Sequence, residues 1–299
     1  MRLFNPYPSS FILYPLLNPT PHTPHPTPHT PRTSPMKGDF TRFTFRPEKH
    51  YTGVLMQQGR LQLDSDWNEQ VSIQTYLNQV RLRDTIGGAA GTPGGETKEG
   101  FKIVATPDQT DWIINPGSFY VGGVLCELKQ GSDFSATYSP APVDSDADTV
   151  TVNVPFLAID GQPFAKDQWL KDQESGQLMQ IREVSLPTQP PTLKLHPKPE
   201  KPPLKDIPPG GQTLSLRRVV TYKTQPDFPN PPLLPTDTAY LLYLDVWERH
   251  VTAIEDPEIR EVALTDIPDT TTRTKTVWQV KCLALSPADD PKVGVGCVF

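Results

Sequence analysis

The sequence is poor in the residues that usually mark a catalytic or metal-binding chain. Its 299 residues include three cysteines, Cys126, Cys282 and Cys297. They are too widely spaced for a C-x-x-C zinc pair and odd in number, which leaves no even disulfide framework and fits a reducing compartment. No apolar run approaches the ~20 residues a bilayer span needs, and Pro15 interrupts the longest one near the start, Phe11 to Leu17. A secretory leader is not expected either, since Arg2 is the only basic residue ahead of that run and no small-residue cleavage site follows it. The formal net charge is -6 and the basic residues do not cluster. A surface that neutralises phosphates has the opposite character, so nucleic acid is excluded as an expected partner. These absences together imply a cytoplasmic protein with no membrane partner.

Catalytic constellations are missing in the same way. There is no G-x-G-x-x-G or P-loop, so no cofactor is expected. His50 and His250 stand in stretches expected to fold, but neither has a serine elbow or a cysteine signature near it. No catalytic, cofactor-binding or metal residue is assigned. The one enzyme class left open is a polysaccharide hydrolase, which would need two acids from among Asp64, Asp245, Glu248 and Glu255 to meet in one cleft.

Proline is what the sequence has in excess. It contributes 36 residues, more than twice the usual share, against a hydrophobic fraction of 36%. Pro19 to Pro31 repeat a seven-residue unit, and such a tract is an extended polyproline segment with nothing to bury. Its His22, His25 and His29 do not converge on a metal in that geometry. Residues 1–35 are therefore expected to be a disordered, non-native extension, with Met36 as the native start. A second proline-rich stretch, 187–211, reads as a solvated loop because proline cannot donate to a strand ladder.

Between these tracts the patterning is mainly that of strands. Residues 40–63 read as a strand pair leading into a helix. Asp66 and Glu69 have capping-box spacing, with Ile73, Tyr76, Leu77 and Val80 on one face and Gly87-Gly88 as the stop. A glycine-rich linker, 87–100, follows. Strands are expected at 101–104, 112–114 and 119–128, with Asn115-Pro116-Gly117 turning between the last two. Val150, Val152 and Val154 alternate with polar residues, Asp160-Gly161 turns the chain, and the pattern from Phe156 to Val184 reads as a small β-barrel-like unit. Tyr240, Leu242, Leu244 and Val246 then line one face of a long strand, whose expected partner carries Thr276, Trp278, Val280 and Cys282.

The fold class expected is α+β, mainly β: an interrupted antiparallel sheet with one long helix and a small β-barrel-like insertion. In order, the expected units are a helix-plus-hairpin region over 36–140, the β insertion over 149–186, the proline-rich loop over 187–211, and C-terminal strands of the main sheet over 212–285. A tail of a truncated chain, 286–299, completes the order. Trp247, Glu248 and Arg249 form a candidate partner-binding patch, since Trp and Arg are enriched at interface hot spots. Their equally weighted alternative is a sheet edge where Arg249 or Arg260 pairs with Glu248 or Glu261.

Several segments carry a family resemblance. MKGDF from Met36, HYTGVLMQQGRLQLDSDWNEQ from His50, YLLYLDVWERHVTAIEDPEIREVAL from Tyr240 and TRTKTVWQVK from Thr272 together resemble an uncharacterised bacterial domain family. Its members look like components encoded with phage-tail-like contractile injection systems. The resemblance implies a non-catalytic structural or attachment role and supplies no site residues. The partners it implies are other particle subunits, or a second copy through an open sheet edge after Cys282. A carbohydrate- or surface-binding module is the alternative, with the hydrolase behind it.

Asp64, Asp66 and Asn68 also match the first half of a calcium loop, but Glu69 stands where that loop needs glycine and Thr75 where it needs a bidentate glutamate. Chelation with EDTA is therefore expected to leave the Tm unchanged. A calcium-dependent rise of several degrees would show a bound ion instead.

Overall fold

The structure is a computed structural model that describes residues 38–91, 100–138, 149–185, 190–197, 213–233, 240–264 and 270–284. The extension over 1–35, the polar loop over 139–148 and the tail over 286–299 lie outside the described residues. The fold is mainly β with one long helix and a closed barrel, as the patterning implies.

Helix α1 spans Asp64–Ile86 and ends at Gly87, whose φ of 91° puts it in the left-handed region. Its start differs from the sequence expectation. Leu63 is the N-cap and no side chain caps it. Asp66 lies within the first turn, its N–H donating to the Leu63 carbonyl. Glu69 accepts from Thr44 instead of reaching back to the cap. The acids are drawn away because the chain ahead of the helix is not the expected strand pair. Residues 38–63 form no strand and contain one 3-10 turn, Pro47–Lys49. Helix side chains take up backbone groups that a ladder would otherwise have paired.

Three short strands lie beside the helix: β1 (Ala89–Gly91), which falls inside the expected linker, and the hairpin β4 (Gly117–Val121) and β5 (Val124–Leu128), in the order β1-β4-β5. The single strand expected over 119–128 is folded in two at Gly122-Gly123, both at positive φ. Between them in sequence, β2 (Ile103–Ala105) pairs with β3 (Trp112–Ile114).

A closed barrel follows, built from β6 (Asp133–Tyr138), β7 (Val150–Asn153), β10 (Trp169–Asp172), β11 (Leu178–Ser185), β12 (Thr192–Pro197) and β13 (Thr213–Val219). A two-residue hairpin, β8 (Ala158–Ile159) with β9 (Gln162–Pro163), precedes β10. Alternate residues point inward, among them Val152, Met179, Ile181, Leu193, Leu195 and Leu216, all at most 1% exposed. The barrel is larger than the insertion read from the sequence. It takes β12 from the stretch read as a loop and β13 from the stretch read as main sheet. Pro190 and Pro191 precede β12 and Pro197 is its last residue, so the ladder over Thr192–His196 keeps its N–H donors while Leu193 and Leu195 face the core. His196, on this strand, is a third histidine in folded structure.

Beyond the barrel, β14 (Tyr240–Val251) and β15 (Arg273–Ala284) pair over their full length as a two-stranded ribbon. Leu242, Leu244, Trp278 and Val280 on one ribbon face pack with Phe101, Ile114, Phe119 and Cys126 into a second core. Trp278 is the bond between the two: its ring meets Phe101 at 4.9 Å and its Nε1 donates to the Glu127 carbonyl at 3.1 Å.

Helix and hairpin touch closely at one point. A Cβ on Gly123, whose φ is +84°, would overlap the Gln79 carbonyl oxygen and come within 2.8 Å of the Gln79 Cα. Gly123→Ala is therefore expected to cost about 2 kcal/mol or more. Gly161→Ala, at a similar φ with nothing within 4 Å, is expected to cost about 1 kcal/mol. Denaturant midpoints compare them, and equal losses would place the hairpin off the helix.

Candidate interaction surface

The segment before α1 is an extended arm tied along the helix by polar contacts. The Thr41 N–H donates to Asp64 Oδ2 at 2.9 Å, and the Thr41 hydroxyl donates to Oδ1 of the same carboxylate. Those bonds hold the Asp64 carboxyl below its ordinary value, the hydroxyl contributing most. Further along, the Thr44 hydroxyl donates to Glu69 at 2.5 Å. The Val54 N–H donates to Gln70 Oε1 at 2.6 Å as the arm returns. Phe45 meets Tyr76 at 5.7 Å between ring centroids, and Phe40 meets His250 of the ribbon at 5.8 Å.

This pinning leaves apolar side chains outside. Leu55 is 93% exposed, Leu61 88%, Trp67 75% and Val71 59%. Within α1 only Ser65 and Ile73 are buried. Isolated exposed hydrophobics need no explanation, but several on one ordered arm and its helix do. Sequence reasoning misses them, because residues 40–63 read as a strand pair that would bury one face.

Trp247, Glu248 and Arg249 lie in β14, where successive side chains point to opposite faces. The structure therefore splits the trio. Glu248 faces the helix and accepts from Gln79 Nε2 at 3.5 Å. Trp247 and Arg249 share the other face. Lys281 sits 5.6 Å from the Trp247 ring centroid and is ion-paired with Asp245. Arg249 pairs with Glu255 at 3.5 Å, a partner that sequence reasoning missed.

The ribbon edge is also covered in part. Gln225 accepts from the Val280 N–H at 2.6 Å and donates to the Val280 carbonyl at 3.0 Å, so one carboxamide does the work of a neighbouring strand on β15. Gln279 Nε2 donates to the Asp227 carbonyl at 2.5 Å beside it. Among the described residues β14 and β15 pair only with each other, so both outer edges lack a strand partner, and that of β14 also lacks the amide cover.

Asp64, Asp66 and Asn68 lie on the first turns of a helix, where they cannot wrap an ion. Among the described residues no three His, Cys, Asp or Glu side chains are grouped so as to hold a metal. Burial pushes the Cys126 thiol up to about 12, keeping it protonated at neutral pH. No helix of the described residues is long and apolar enough to cross a membrane.

Fold and surface together define an α+β, mainly β protein with a closed barrel, a helix-and-ribbon unit and an arm of exposed apolar residues. The chain belongs to a family of unknown function, DUF6519, which it matches over residues 36–156 and 233–295. The matched segments hold the arm, α1, the hairpin and the ribbon, while β8 to β13 fall between them. No curated protein and no solved structure matches the chain.

Among the described residues Asp111 is the one buried acid raised above its ordinary 3.8, by desolvation, which hydrogen bonds from Thr221 and the Trp112 N–H oppose. A carboxyl raised in the fold contributes stability that is whole below its unfolded pKa and is lost as pH rises through the folded one. Asp111→Asn is therefore expected to match the parent's Tm below pH 3.8 and to exceed it at neutral pH. A constant difference across that range would mean the carboxylate is fully compensated by its partners.

Proposed function

We propose that the chain is a non-catalytic structural or attachment component of a phage-tail-like contractile injection particle. The observation that carries the assembly role is the arm: an ordered segment held by hydrogen bonds to Asp64, Glu69 and Gln70, with Leu55 and Leu61 turned to solvent. An arm fixed before binding loses little conformational entropy when a partner covers it. Burying each leucine would contribute roughly 2 kcal/mol to association. The tail-like setting comes from the resemblance of the arm, helix and ribbon segments to particle-associated chains. The partner is another particle subunit or a second copy, with the β14 edge as a second contact, and the protein is cytoplasmic until incorporated.

In native lysate the chain is expected to co-sediment with large tail-like particles. Leu55→Asp with Leu61→Asp should weaken that association at least about tenfold and leave the Tm unchanged, because both side chains are exposed. A concentration-independent monomer absent from the particle fraction would overturn the assignment. A selective hit on a glycan array would favour a surface-binding module in its place.

A further inference from the structure

A cavity of about 250 Å³ lies between the barrel and the helix-and-ribbon unit. Val104, Ile113, Leu128, Leu178, Val219 and Val220 make much of its wall. Every charged residue that lines it is a cation: Lys129, Lys171, Arg217 and Arg218.

The cations are not equally committed. Arg217 is held bidentately by Asp133, at 2.6 and 2.8 Å. Arg218 points the other way along β13, stacks 5.3 Å from the Phe164 ring centroid and donates to the Gln162 carbonyl at 2.8 Å. Lys129 and Lys171 have no hydrogen bond or ion pair from their ammonium groups among the described residues. Lys171 stands directly opposite Arg217 in the β10–β13 register, on the outer face of the barrel. Like charges in that position repel, and Asp133 compensates only the arginine. Among the described residues the lining thus includes two lysines without an anionic partner, Lys129 exposed and Lys171 half-buried, beside an apolar wall.

We propose that this cavity binds a small organic anion: a carboxylate carrying an unbranched apolar chain of up to about eight carbons. The carboxylate lies between Lys129 and Lys171, and the chain lies against Val104, Leu128 and Val219. The carboxylate relieves the repulsion between Lys171 and Arg217, and each buried methylene multiplies affinity about fourfold. One wall, Val104 to Lys129, comes from the family-matched segments. The other, Lys171 to Val220, comes from the stretch between them. Binding is accordingly a property that the barrel adds to this chain, and it stands independently of the assembly role.

Isothermal titration calorimetry of the full chain with acetate, hexanoate, octanoate and octanol tests the proposal. Octanoate is expected to saturate at one site, hexanoate to bind about sixteenfold more weakly, and octanol to fall well below octanoate. Lys129→Gln with Lys171→Gln should bring octanoate down to the octanol level with the Tm unchanged. Octanol binding as tightly as octanoate, a double variant that binds like the parent, or no saturable heat from octanoate would each overturn it. The ligand series on the unaltered chain decides the matter even if a variant folds poorly.

Discussion

The packing of Trp278 on Phe101 is the contact on which the rest of the molecule depends. It joins a residue of the ribbon to one near the hairpin, making one core from two stretches far apart in sequence. Its indole N–H is satisfied by the Glu127 carbonyl, so the large ring is buried without an orphaned donor. The two family-matched segments fall on either side of this contact. The chain between them completes a second unit, supplying its strands β10 to β13 while β6 and β7 come from the first matched segment.

That unit is the barrel, and closure is what lets it stand on a modest apolar content. A six-stranded ring has no open edge, so each strand needs only one inward apolar face. The ribbon lacks that remedy. It is covered on β15 by a side-chain amide, Gln225, and on β14 by no strand among the described residues. Edge protection thus differs between the two units.

The arm makes the same point from the other direction. Polar side chains of α1 hold it in one conformation, so its exposed leucines are displayed by an ordered segment. The low hydrophobic fraction of the whole chain makes this display conspicuous: apolar residues that could have enlarged a core are instead held in solvent. Near the barrel the pattern reverses, and cations are held over an apolar wall.

Local pattern was enough to locate α1, the Asp160-Gly161 turn, the β7 alternation and the two ribbon strands, because each is set by residues within a few positions of one another. The ribbon's pairing partner also follows, since each strand carries one apolar face, but the register does not, because a two-residue slip keeps the same faces inward. Tertiary context decided the rest. Residues 40–63 look like strands but have no strand to pair with, so the helix carboxylates and amides take their donors and the Asp66–Glu69 box never closes. The proline-rich stretch contains β12 because barrel closure needs its two leucines, whatever the composition around them. Trp247, Glu248 and Arg249 are consecutive in sequence yet lie on two faces, since a strand separates neighbours that a list of residues joins. The cavity was beyond sequence reasoning for the same physical reason: Lys129 and Lys171 line one cavity only because tertiary packing brings the end of β5 beside the barrel.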